Sequence, residues 1–127
     1  MLYNILIEIS GFKDKDVLNK TDQKSIVDSL CFGLTGKADI DYIHNDKTVI
    51  LKIIQREIDD TIEFHRKYSD ILRNISKSLW LTIKWVPQDG WSNTATETVT
   101  DRDTGDIYID TLNENDEVIN SQLVKNS

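Results

Sequence analysis

The 127-residue chain predicts an α+β domain in which an antiparallel sheet carries two helices on one face. Three observations carry this prediction. Two segments, 2–10 and 79–86, alternate with a period of two and are rich in β-branched or aromatic residues. Two others, around 22–34 and from Asp60 onward, place apolar residues at helical spacing. Between the helical segments lie two further strand-like runs with a turn signal between them.

In the first strand Ile5, Ile7 and Ile9 share one face, and Asn4, Leu6 and Glu8 share the other. A charged connector follows over 11–20. Thr21 is an N-cap candidate for a helix over roughly 22–34, where Ile26, Leu30 and Leu34 step by four with Val27 and Cys31 beside them. Gly33 and Gly36 supply stop signals. Ile40 and Tyr42 then alternate with Asp39 and Asp41. A turn is expected within 44–47, because Asn45 and Asp46 tolerate positive φ. The returning strand, 48–54, sets Val49, Leu51 and Ile53 against Ile50, Lys52 and Ile54.

Asp60 and Glu63 have the spacing of a capping box, with Asp in place of Ser or Thr. The helix they open carries Phe64, Tyr68, Ile71 and Ile75, and Leu72 and Leu79 widen the stripe. The last strand sets Leu79, Leu81, Ile83 and Trp85 against Trp80, Thr82, Lys84 and Val86, and ends in a turn at 87–90. The order strand, helix, strand, strand, helix, strand is the ferredoxin-like βαββαβ pattern, complete within residues 1–87. Residues 88–112 add a β-hairpin around 101–105, with Ile107, Ile109 and Val99 available to pack, so that 1–112 forms one domain. Residues 113–127 read as an acidic, polar tail. Within it Val118, Ile119, Leu123 and Val124 are expected to form a short docking helix, or the final ten residues to fray.

Net charge is −7, and its distribution is uneven. Residues 1–87 hold 13 acidic and 13 basic side chains. Residues 88–127 hold nine acids against Arg102 and Lys125, and so carry the whole excess. An acidic final third repels phosphate backbones and attracts basic surfaces, so direct nucleic-acid binding is not expected. The apolar run at the N-terminus is short, lacks a basic flank and is broken by Glu8. It makes a poor signal peptide and is too short to span a bilayer, so a cytoplasmic protein is expected. A lone cysteine fits a reducing compartment.

No motif carries chemistry. Glycine-rich phosphate loops and nucleophile elbows are absent from the sequence. Asp101, Asp103 and Asp106 suggest a calcium loop, but Gly105, Asp106 and Leu112 fall where the template needs a ligand, Gly and Glu. Cys31 with His44 or His65 has no nucleophile–base signature, and Cys31 lies on an apolar stripe. Neither catalytic residues, nor a cofactor, nor a metal is expected.

What remains is recognition. Trp80 lies on the row opposite Leu81, Ile83 and Trp85, where Leu6, Ile50 and Ile54 extend an apolar patch on the open sheet face. Either the C-terminal hairpin folds over that patch, with Trp91 and Ile107 as lids, or a partner covers it. The expected function is therefore protein binding, as a small acidic inhibitor or immunity-type protein that neutralises a basic partner. The expected contacts are Trp80, Trp91, Asp101, Asp103, Asp106, Tyr108 and Asp110. The alternatives are an adaptor or assembly module that self-associates, and a small-ligand sensor or enzyme.

Overall fold

The computed structural model describes residues 1–11, 38–42, 49–75, 79–88, 94–101 and 104–124. Seven strands form a single sheet: β1 (Leu2–Ser10), β2 (Ala38–Tyr42), β3 (Val49–Glu57), β4 (Trp80–Pro87), β5 (Thr96–Thr100), β6 (Ile107–Leu112) and β7 (Val118–Val124). Their spatial order is β2-β3-β1-β4-β5-β6-β7, and every neighbouring pair is antiparallel. The described residues contain one helix, α1 (Thr61–Ile75), and none long and apolar enough to cross a membrane.

This architecture corrects the ferredoxin-like expectation. The sheet continues through β5, β6 and β7 instead of ending at β4, and one helix is described where two were expected. The expected first helix at 22–34 lies outside the described residues. The physical reason for the extension is the free edge of β4. Its backbone donors and acceptors are met by β5, with Thr82 opposite Val99 and Trp85 opposite Thr96. The hairpin thus joins the sheet edge to edge and does not fold over its open face. Residues 118–124, expected as a helix or a frayed end, pair with β6 as a strand.

α1 starts where the sequence puts it. Asp60 Oδ1 accepts the backbone N–H groups of Ile62 and Glu63, each at 3.1 Å, and so satisfies two of the donors that a helix start leaves open. The buried stripe is His65, Tyr68, Ser69 and Leu72, flanked by the half-buried Phe64 and Ile71. Leu79 lies beyond the helix and is buried at the entry to β4. The stripe packs on the inner rows of the sheet: Ile5, Ile7 and Ile9 of β1, Leu51 and Ile53 of β3, and Leu81, Ile83 and Trp85 of β4. Trp85 is fully buried, with the Phe64 and Tyr3 rings edge-on at 5.3 and 5.4 Å.

β3 runs three residues past Ile54 because of a bulge. Tyr3 pairs with Arg56 and Ile5 with Ile53, so Asn4 faces two residues. Gln55 takes φ +53°, and Asn4 Oδ1 accepts its N–H at 2.9 Å. The β6–β7 turn is closed in a similar way. Asn113 Oδ1 accepts the N–H groups of Asn115 and Glu117, and Asp116 sits at φ +62°.

Candidate functional site

The outer face of the sheet turns away from α1. Its rows follow from the register: Leu6, Lys84, Glu97, Asp110 and Ser121 lie across β1, β4, β5, β6 and β7, and Glu8, Thr82, Val99, Tyr108 and Leu123 form the next row. Glu97 and Asp110 are directly opposed across β5 and β6. The row continues through Leu6 to Lys52 on β3, and Lys84, beside Glu97, bonds Asp116 Oδ1 at 2.6 Å. Asp116 belongs to the β6–β7 turn, and strands lie about 4.8 Å apart. The Lys84 side chain thus reaches past β5 and ties β4 to the β6–β7 turn. Asp110 also accepts a hydrogen bond from the Ser121 hydroxyl.

This crowding has an electrostatic consequence. Burial, and then the charges of Asp110 and Glu8, push the Glu97 carboxyl above its usual range; Lys84 opposes the rise and Asp116 adds to it. At the sheet edge, β7 exposes Val118, Ile119 and Leu123 at 54%, 63% and 42%, and pairs with β6 alone among the described strands. A carboxylate-rich face thus runs into an apolar strand edge.

The expected contact residues divide between two places. Tyr108 and Asp110 lie on the outer face, as does the half-buried Trp80 at the start of β4. Asp101 and Asp106 bracket the β5–β6 turn instead. Asp101 Oδ1 accepts the Thr104 N–H, and the Asp106 N–H bonds Thr104 Oγ1. Trp91 and Asp103 lie outside the described residues. Val99 packs on the opposite side from Ile107, which is buried on the helix side. Sequence reasoning missed Glu8, Glu97 and Asp116 as members of one carboxylate group. Their alternation along the strands was visible, but not which strands would lie side by side.

The inner face holds a second polar feature. His65 is fully buried, with Nδ1 2.8 Å from Thr98 Oγ1 and Nε2 2.6 Å from Thr100 Oγ1. Thr98 Oγ1 also accepts the Trp85 indole N–H at 3.0 Å. Thr98 is 1% exposed, so its hydroxyl proton needs an acceptor, and His65 Nδ1 is the one the described residues offer. We therefore assign the imidazole proton to Nε2, which donates to Thr100. Burial pushes the His65 pKa down to about 4, so the ring is neutral at pH 7. His65 ties α1 to β5 through this chain. Cys31 and His44, its conceivable partners in nucleophilic chemistry, lie outside the described residues. Among the described residues, no group of three or more His, Cys, Asp or Glu side chains is arranged to hold a metal ion.

Comparison with protein-family models, with curated proteins and with solved structures returned no match.

Proposed function

We propose that this chain is a protein-binding module that uses its outer sheet face and the adjoining β7 edge to take a basic partner, in the manner of a small acidic cytoplasmic inhibitor or immunity-type protein. The observation that carries the reading is the direct opposition of Glu97 and Asp110, with Glu8 and Asp116 adding to the same negative field. Like charges facing one another across a sheet are destabilising. A cationic surface laid on this face relieves that repulsion, so part of the binding energy is already stored in the free protein. The exposed Val118, Ile119 and Leu123 supply apolar area beside the charge.

The test is capture from source cells with the wild-type chain and with a Glu97→Gln, Asp110→Asn, Asp116→Asn variant as parallel baits. Asn at 116 keeps a residue that tolerates positive φ. A basic protein held by the wild type and lost by the variant supports the reading; equal capture by both baits sinks it.

A second reading rests on a separate observation. β7 leaves one edge unpaired among the described strands and carries apolar side chains, which is the geometry for edge-to-edge self-association in an assembly module. Concentration-dependent sedimentation distinguishes it from the first.

A further inference from the structure

Between α1 and the β5–β6 turn lies a cleft of about 330 Å³, lined by Arg66, Ser69, Arg73, Thr100, Thr104 and Gly105, with Asp70 and Ile107 completing its wall. We propose that this cleft binds a small phosphate monoester or inorganic phosphate.

Four observations lead there. First, the lining carries two guanidinium groups against the single carboxylate of the exposed Asp70, in a chain whose net charge is −7. Neither arginine forms an ion pair among the described residues. Second, Arg66 Nε is buried and has no hydrogen-bond partner among the described residues. That nitrogen is closed to solvent and so to a ligand, and it is the cleft-lining part of the half-buried Arg66 that meets an acceptor. Third, Arg73 lies against the turn. Its Nη1 and Nη2 stand 3.7 and 3.8 Å from where a Cβ on Gly105 would be, and Gly105 holds φ +77°. The turn thus supports the guanidinium from one side.

The fourth observation follows from the imidazole proton. With His65 Nε2 donating to Thr100 Oγ1, the Thr100 hydroxyl must place its own proton elsewhere, and Thr100 lines the cleft. The chain from Trp85 through Thr98 and His65 therefore ends in an O–H donor for the cleft. Thr104 Oγ1 accepts the Asp106 N–H and keeps its own proton free to donate as well.

The chemistry selects the ligand class. Arg66, Ser69 and Arg73 line the cleft from α1, and Thr100 and Thr104 line it from the β5–β6 side. A planar carboxylate cannot meet donors from so many directions, whereas the three terminal oxygens of a phosphate monoester can. The volume is roughly ten times the ~30 Å³ share of one water, so there is room for an organic group beyond the phosphoryl. This inference is independent of the outer face, which lies on the other side of the sheet.

The experiment titrates the full chain with inorganic phosphate, glucose 6-phosphate, sulfate and chloride at constant ionic strength. Backbone amide shifts in the NMR spectrum and the thermal midpoint are recorded together. Saturable shifts at 66–73 and 104–107 with phosphate or the sugar phosphate, and none with chloride, are expected. Tighter binding of glucose 6-phosphate identifies an esterified ligand; tighter binding of inorganic phosphate identifies the free ion. Arg73→Ala, on an exposed side chain, should weaken binding at least tenfold, and Lys67→Ala, outside the cleft, should leave it unchanged. Thr100→Val weakens it too, with a folded spectrum as the control. Shifts that never saturate, or that are equal in wild type and Arg73→Ala, overturn the proposal.

Discussion

Glu97 on β5 stands directly opposite Asp110 on β6, and Lys84, beside Glu97 in the same row, is bonded to Asp116 from the β6–β7 turn. The outer face thus sets the carboxylates of Glu8, Glu97, Asp110 and Asp116 against Lys52 and Lys84, and burial first, then the charges of Asp110 and Glu8, holds the Glu97 carboxyl above its usual range.

Glu97→Gln should stabilise the protein at pH 7 by about 0.2–1 kcal/mol, the scale of one cross-strand pair. The sign follows from linkage. A carboxyl whose folded pKa is raised makes the folded state bind more protons than the unfolded one, so stability falls as pH rises from its ordinary value of 4.5 through the raised one. The advantage of the variant should therefore be present at pH 7 and vanish below pH 4.5. Urea unfolding of both proteins at several pH values checks it.

His65 gives the opposite slope. Its folded pKa of about 4 lies below the ordinary 6.5, so the unfolded chain binds more protons between these values and stability falls as pH falls through the window. The loss from pH 7 to pH 4 should amount to about 3 kcal/mol. His65→Gln should be less stable than wild type at pH 7 but lose this pH dependence, which calorimetric midpoints across the window will show.

Gln55 holds φ +53° within the bulge, a conformation that costs a residue with a side chain about 1 kcal/mol. Gln55→Gly should stabilise by up to about that amount. Asn4→Ala should destabilise by about 1 kcal/mol, because it removes the acceptor of the Gln55 N–H. Chemical denaturation of the two single variants measures both.

Ile119→Lys changes a side chain that is 63% exposed on the edge strand. Folding stability should shift by less than about 0.5 kcal/mol. Any self-association through β7 should be abolished, since a lysine on an edge opposes strand addition. Sedimentation velocity over a range of concentrations reads the second effect.

Strands with one buried face were legible in the sequence. β1 and β4 declare themselves by alternation, because Ile5, Ile7, Ile9, Leu81, Ile83 and Trp85 are buried and their neighbours are not. The start of α1 was legible through Asp60, whose carboxylate does what its position implies. β3 was read as ending at Ile54 because the bulge at Gln55 breaks the period of two. β7 reads in the sequence as a short docking helix or a frayed end because it is exposed on both faces. Its order comes from backbone pairing with β6, which leaves no apolar period to read. His65 lies at the buried centre of the helix stripe, where the apolar pattern of the sequence does not include it. An apolar count passes over histidine, and its partners lie 33 and 35 residues away. The signal that could have found it is the row Thr96, Thr98, Thr100, an inner face made of hydroxyls that calls for a polar partner across the layer. The carboxylate face was legible only as a net charge on the final third. Glu8, from the other end of the chain, joins it through the placement of β1 beside β4.

The most direct test of the binding account is the association rate of the captured basic partner, measured against ionic strength for the wild type and the Glu97→Gln, Asp110→Asn, Asp116→Asn variant. At about 0.01 M salt the screening length is ~30 Å, and at 1 M it is ~3 Å. The account predicts that the variant associates at least several-fold more slowly at low salt, and that the two rates converge at high salt. Equal rates for the two proteins at every ionic strength would contradict it.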